Sequence, residues 1–273
     1  MKLLIVGDCH GKVPEIDEEA SEADIIIATG DICGDSDEMR NAMFESIDSE
    51  QEWYEILGRE KSEEEVVRSL EEGEKVLEYL NGFGKPVLLV PGNWDWIGGS
   101  DWEVLEENKF QKLVDQFENI QNINRKGIEM ADFTFIGYGP CSGPEVPQYE
   151  DEKPDDESEL EEMKQEYEEN RQEIRELFES FERPVVFLSH NVPHDTELDE
   201  IDNPDSPADG RHYGSLVVKD MMTEFPPLLS IGGHIHEGKG VEKIEGVTCI
   251  NGGLHASVSL ELDKEKVKDV DDF

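Results

Sequence analysis

Short, almost uninterrupted apolar runs that stop at a glycine recur along this chain, and they constrain its fold more than any other feature. Lys2 to Val6 ends before Gly7, Asp24 to Ala28 before Gly30, and Val87 to Val90 before Gly92. Further runs occupy Phe133 to Ile136, Val185 to Leu188, Leu228 to Ile231, Val247 to Ile250 and Ser257 to Leu262. Runs of this kind, rich in Val and Ile, read as strands, and their continuity is what a sheet covered on both faces requires. Helical spacing lies between them. Glu63 to Leu80 repeats apolar residues at Val66, Val67, Leu70, Val76, Leu77 and Leu80, and Trp102 to Phe117 does so at Leu105, Phe110, Leu113 and Val114. This order predicts an α/β sandwich with buried central strands.

Acid fills the space between the runs. Of 273 residues, 68 are Asp or Glu and 24 are Lys or Arg, a formal net charge of −44. Proteins that hold nucleic acid or anionic membrane through phosphate neutralisation cluster Lys and Arg instead, so long nucleic acid and membrane are not expected partners. The acids are dispersed and form no EF-hand loop, which reads as a surface adapted to high salt, where screening suppresses self-repulsion. A single domain over 1–273 is expected, with acid-rich insertions near 36–64 and 144–183. The second insertion includes Asp155 to Phe181, a charged helix whose thin apolar stripe (Leu160, Met163, Tyr167, Ile174, Leu177, Phe181) reads as one packing seam, a lid over the site being the alternative. The charged stretch Asp263 to Phe273 is expected to fray. Cys9, Cys33, Cys141 and Cys249 lack CxxC spacing and read as reduced thiols. No apolar run approaches the roughly 18 residues of a membrane span and the first residues lack a signal-peptide layout, so a cytoplasmic protein is expected.

The chemistry sits where the strands stop. Asp8 and His10 follow the first strand in Gly7-Asp8-Cys9-His10-Gly11, Asp31 follows the second in Gly30-Asp31, and Asn93 follows the third in Gly92-Asn93-Trp94-Asp95. His190 follows the run ending at Leu188, and His234 with His236 follow the run ending at Ile231. In open α/β sheets the carboxyl ends of parallel strands share the edge where ligands bind, so these side chains can converge. Carboxylate, amide and imidazole donors together suit Mn, Fe or Zn better than Ca or Mg alone. Two ions about 3.5–4 Å apart, sharing a carboxylate, would use the whole set and clamp a phosphoryl centre.

These five ordered blocks, Asp8-Cys9-His10, Gly30-Asp31, Gly92-Asn93, His190 and Gly233-His234-Ile235-His236, resemble those of the calcineurin-like metallophosphoesterases, small prokaryotic members in particular. The resemblance implies a four-layer α/β/β/α sandwich and a metal-dependent phosphohydrolase with two divalent ions, manganese being expected and iron, zinc or nickel the alternatives. It implies Asp8, His10, Asp31 and His236 on one ion, and Asp31, Asn93, His190 and His234 on the other. Asp31 would bridge, and a bridging hydroxide would attack a phosphomonoester or phosphodiester of a small molecule or nucleotide, a diester being slightly favoured. A non-catalytic scaffold on the same fold is the alternative.

Two departures stand out. Trp94 occupies the position after Gly-Asn where the family usually has the histidine that serves the leaving group, and Gly34 stands three residues after Asp31 where an acidic or polar residue is usual, with Asp35 one later. His194 and His212 are the candidate replacement acids. Trp94 and His212 are candidate substrate contacts, with a buried aromatic the plainer reading for Trp94 and Trp96. Asp95 is expected to orient the site from behind, Cys9 to pack away from it, and His255 to be structural.

Overall fold

The computed structural model describes every residue except 48, 50, 183, 205 and 271–273. In chain order the elements are β1 (Lys2–Val6), α1 (Asp17–Glu22), β2 (Ile25–Ala28), α2 (Asp37–Ile47), α3 (Trp53–Ile56), α4 (Arg59–Gly82), β3 (Val87–Leu89), α5 (Lys109–Val114), β4 (Ile120–Asn122), β5 (Gly127–Met130) and β6 (Phe133–Tyr138). There follow α6 (Glu157–Glu179), β7 (Val185–Asn191), α7 (Leu216–Glu224), β8 (Leu229–Gly233), β9 (Gly240–Ile244), β10 (Val247–Asn251), β11 (Ser257–Leu262) and β12 (Val267–Val270). Among the described residues the strands make two six-stranded sheets, ordered β12-β11-β1-β2-β3-β4 and β5-β6-β7-β8-β10-β9. β1 to β4 run parallel, as do β6, β7, β8 and β10, so the two parallel sets each present their carboxyl ends along one edge.

Alternation along β1 shows how the layers form. Leu3 and Ile5 turn toward the other sheet and join Ile25, Ile27, Leu88, Phe135, Val186, Leu188 and Ile231 in a core between the sheets. Leu4 and Val6 turn the other way, with Ile26 and Leu89, against Ala20, Leu77, Leu80 and Phe110 of the helices. On the far face of the second sheet, Ile136, Phe187 and Cys249 meet Ile174 and Phe178 of α6 and Val217, Val218 and Met221 of α7. The result is the expected α/β/β/α sandwich. The central strands such as β1 from Leu3 on, β2, β3 and β6 are continuous apolar runs because every position there faces one core or another.

The acid-rich stretches supply the outer layers. Residues 36–64 contribute α2, α3 and the start of α4, and they are anchored by Trp53 and Tyr54, which stack on Trp96 at 5.9 Å and on Trp102 at 4.6 Å. Residues 144–183 contribute α6, which packs one seam over the second sheet. Its Arg171 Nε lies 2.9 Å from Asp220 and its Arg175 Nη1 3.0 Å from Glu224, both acids on α7. No residue of α6 lines the cleft at the strand ends, so this helix is not a lid in the observed arrangement.

Two readings from the sequence are corrected. The helical pattern over 102–117 is broken into a 3-10 turn at Glu103–Leu105 and the short α5, because Asn108 caps α5 by accepting Gln111 N–H at 2.7 Å. The charged C-terminal stretch does not fray throughout: β12 pairs antiparallel with β11, while residues 271–273 lie outside the described residues. Among the described residues no helix is long and apolar enough to cross a membrane.

Candidate metal centre

The strand-end turns of both sheets meet at one edge, and their backbones are bent sharply there. His10, Asp31, His234 and His255 have φ of 44°, 48°, 68° and 49°, in the left-handed region that non-glycine residues seldom adopt. Strain of this kind costs on the order of 1–3 kcal/mol per residue and persists where surrounding contacts hold it. Here the contacts are identifiable. Asp95, fully buried, accepts Ile32 N–H at 3.1 Å and Cys33 N–H at 2.9 Å on one oxygen and Gly92 N–H at 2.8 Å on the other, pinning the second and third turns together. His10 N–H and Cys9 N–H both donate to Asp31 O, at 2.8 and 3.1 Å, tying the first turn to the second. Gly92 allows this closeness, since a Cβ at that position would fall 2.1 Å from Asp31 Oδ1.

Two groups of possible ligands result, Asp8 with His10 and His236, and Asp31 with His190 and His234. Within each group the donor atoms lie within 4.8 Å of one another. Asp31 Oδ2 stands between them, 3.6 Å from His10 Nε2 and 3.5 Å from His190 Nε2. Asn93 Oδ1 is 2.9 Å from His190 Nε2. All seven residues singled out as ligands, Asp8, His10, Asp31, Asn93, His190, His234 and His236, are therefore brought to one place.

The arrangement of protons tests whether a cation fits. His190 Nδ1 lies 2.9 Å from the carbonyl of Thr29, so the neutral ring carries its hydrogen there and leaves Nε2 as a lone pair. That lone pair faces Asn93 Oδ1 and Asp31 Oδ2, which are also acceptors. His10 Nε2 lies 3.6 Å from Asp31 Oδ2 and 3.3 Å from His236 Nε2, while its buried Nδ1 lies 3.5 Å from Asp35 Oδ2 and makes no hydrogen bond among the described residues. His234 Nε2 donates to the carbonyl of Ser142 at 3.1 Å, leaving its Nδ1 free to coordinate. Acceptors converging on acceptors without a hydrogen between them are unfavourable, and divalent cations relieve this directly. The set fits such ions.

Burial lowers the pKa of His190 and, with help from the neighbouring His190, takes His234 down to about 3, so both rings are neutral, the form that binds metal. Burial also raises the pKa of Asp31 well above the ordinary carboxylate range, reinforced by the carboxylates of Asp8 and Asp95. Asp8 is equally buried, but His236, His190 and His10 outweigh that and hold its pKa down. The Cys9 thiol is pushed far up by burial and by Asp8, and its side chain packs in the helix-side core as expected.

The departures from the family pattern have structural answers. A Cβ at Gly34 would lie 1.8 Å from Glu72 Oε2, so a carboxylate from α4 fills the space that a side chain at 34 would need. Asp35 meets His10 instead and is itself held by Arg40, at 3.0 Å from Nε and 2.7 Å from Nη2. Trp94 lines the cleft, its ring edge-on to His10 at 6.3 Å, whereas Trp96 is buried with its Nε1 donating to Ser69 at 2.9 Å. His255 lines the cleft as well.

The candidate acids are placed elsewhere. His212 Nδ1 lies 2.9 Å and His194 Nδ1 3.3 Å from the carboxylate of Asp199, and neither ring lines the cleft. Asp199 is fully buried and also accepts Thr196 N–H and Gly214 N–H, each at 2.8 Å. Sequence reasoning missed Asp199, Thr29, Ser142 and Arg40, since single Asp, Thr, Ser and Arg residues in such a chain give no signal until the turns are brought together.

The sequence matches the family model of the calcineurin-like phosphoesterases over residues 1–238. One solved crystal structure, 18% identical, aligns over 100% of this chain and 98% of its own with a TM-score of 0.67. The crystal structure of the phosphopantetheinyl hydrolase of Mycobacterium tuberculosis, 13% identical, aligns over 92% of this chain and 88% of its own with a TM-score of 0.53. Both likenesses are of fold. No curated protein matches the chain in sequence.

Two measurements probe the site's supports. Asp35→Ala removes the carboxylate beside His10 Nδ1 and is expected to weaken Mn²⁺ binding about 10–100-fold in calorimetric titration, the usual cost of losing a ligand's outer partner; unchanged affinity would show that Asp35 does not orient His10. Burial favours the neutral acid at Asp199, yet His194, the backbone amides and His212 outweigh it and hold its pKa down to about 2. Because this lies below the unfolded value, the stabilisation is full above about pH 4 and is lost as pH falls toward 2. Asp199→Asn should therefore cost about 2 kcal/mol in urea denaturation at neutral pH, with the gap to the unaltered protein closing in that acid window.

Proposed function

This chain belongs to the calcineurin-like phosphoesterase family, and from that premise we propose that it hydrolyses small phosphoesters at a binuclear centre held by Asp8, His10, Asp31, Asn93, His190, His234 and His236. The observation that supports this reading best is Asp31 Oδ2 standing 3.6 and 3.5 Å from one imidazole of each ligand group, the place a bridging carboxylate must occupy. Two divalent ions bound there, manganese in our reading, supply the charge that polarises a phosphoryl oxygen and makes water nucleophilic near neutral pH.

The protein's own part is positioning. Thr29 O and Ser142 O fix the tautomers of His190 and His234, and the Asp35 carboxylate stands 3.5 Å from His10 Nδ1, so lone pairs of His190 and His234 point at the centre before any ion arrives. Thr29 Oγ1 and His234 N–H donate to the two oxygens of Asp8, at 3.0 and 2.7 Å, and aim that carboxylate. Trp94 covers one side of the cleft and contacts the organic part of the substrate. With Trp94 in place of the family's usual histidine, and with His194 and His212 bound to Asp199, leaving groups that need little protonation are favoured. His194 and His212 serve in this reading to hold the loop from Val192 to Ser215.

Hydrolysis of p-nitrophenyl phosphate and bis-p-nitrophenyl phosphate in molar salt, with Mn²⁺ against a chelated control, tests the reading. Metal-dependent release is expected from at least one of them, and faster release from the diester supports a phosphodiesterase. Asp31→Asn and His234→Ala should each cost more than the roughly 10–100-fold associated with an outer partner. A folded protein that takes up no metal and turns over neither ester would leave the fold serving as a non-catalytic scaffold. Trp94→His supplies a proton donor where the family has one and should raise kcat for alkyl phosphates, general-acid help being worth about 10²–10⁴-fold; no gain would place leaving-group protonation with another residue.

A further inference from the structure

The cleft beside the metal centre encloses ≈ 1390 Å³. That exceeds the roughly 300–1,000 Å³ of a pocket made for a whole drug-sized ligand, and far more than one phosphoryl group requires. Its lining also reverses an expectation. The sequence shows no run of Lys and Arg, yet Lys12, Arg40, Arg68 and Lys75 all line this one cleft. They come from the turn after β1, from α2 and from α4, where Arg68, Glu72 and Lys75 share a helix face by their spacing.

The four cations are not equivalent. Arg40 is taken up by Asp35 at 2.7 Å and approaches Asp37 at 4.0 Å. Arg68 is taken up by Glu65 at 2.9 Å and Glu72 at 2.8 Å, so these acids of the wall already have partners. Lys12 and Lys75 are exposed, and among the described residues no carboxylate lies within ion-pair distance of either ammonium. Phe44, 62% exposed, lines the same cleft beside Met43. Two ammonium groups without a described carboxylate partner, in a cleft that also carries exposed apolar surface and the candidate metal ligands, have the composition of a second anion subsite.

Resting on the function proposed above, we propose that Lys12 and Lys75 bind a second anionic group of the substrate, so that the natural substrates are small phosphoesters carrying a further phosphate-like charge beyond the scissile phosphorus. Arg40 and Arg68, locked by carboxylates, shape the wall without taking the anion. Phe44 and Met43 contact the body between the two charges. Two free ammonium groups are too few for a polynucleotide, whose affinity grows with each phosphate neutralised. They suffice for one terminal anion. Five acids and four Lys or Arg line the cleft, so these two ammonium groups act as local contacts for the anion and not as a cationic field.

The test uses the full chain loaded with Mn²⁺, metal uptake being measured first. Binding of propyl phosphate, 1,3-propanediol bisphosphate and 1,5-pentanediol bisphosphate is then followed by calorimetry at 0.15 M salt. At one spacer length the bisphosphate is expected to bind at least tenfold tighter than the monophosphate, and in the Lys12→Gln/Lys75→Gln double variant this ratio falls to near one. A charge-matched control, Lys243→Gln/Lys266→Gln, keeps the ratio. Equal affinities in the unaltered protein, a ratio that survives the double variant, or an equal fall in the control would each overturn the proposal while leaving the metal centre standing. A failure of the centre itself shows earlier and separately, as absent metal uptake and no binding of propyl phosphate, and it overturns both.

Discussion

Everything at the strand ends follows from acceptors that face acceptors. Asp8, Asp31 and His190 are buried and contribute carboxylate oxygens or a ring nitrogen that carries no hydrogen toward the centre, because the other nitrogen of the ring is held by Thr29. Groups like these are costly to bury unless something positive joins them. A core could avoid the cost by exposing them. This chain instead closes two sheets over them, an arrangement whose cost divalent cations would relieve. Metal binding is then linked to folding, since the site exists only when turns from both halves of the chain have met.

Holding that arrangement explains features that look unrelated. Strained φ values at His10 and Asp31 are tolerated because Asp95 and the backbone bonds to Asp31 O over-determine the turns, and that at His234 because its N–H is held by Asp8. The acid-rich α2 is part of the same support: Arg40 grips Asp35, and Asp35 faces His10. Glu72 of α4 stands above Gly34, so one helix both seals the second turn and presents Lys75 to the cleft. On the other side, Ser142 orients His234 from the loop that follows β6. The outer helices therefore contribute to the site as well as covering the sheets.

Legibility in the sequence divides along the same physical lines. Central strands were visible because each is apolar on both faces, and β1 and β11 match their expected bounds at both ends. The four strands that sequence reading missed, β4, β5, β9 and β12, are the outermost members of the two sheets among the described residues. Edge strands face solvent and carry polar residues, as in Ile120-Gln121-Asn122 and Gly240-Val241-Glu242-Lys243-Ile244, so their pattern resembles loop. The ligand candidates were visible because each follows a strand and a glycine. Asp199 and the lysines of the cleft were not, since what gives them meaning is a contact across tens of residues, and no local pattern encodes it.

The charge of the chain carries one more consequence. A chain with 68 acids, most of them outside the core, repels an anionic substrate at long range, and at physiological salt that repulsion is screened beyond about 8 Å. Inside the cleft, screening weakens and local charges decide. Asp35 and Glu72 are paired by Arg40 and Arg68, while no described carboxylate lies within ion-pair distance of Lys12 or Lys75. The charge that an anion meets at one point of the cleft is therefore set by these two groups and not by the net charge. A strongly acidic protein can in this way act on phosphoesters, provided that its few cations are placed where the substrate must lie, and the turn after β1 and one face of α4 do so here.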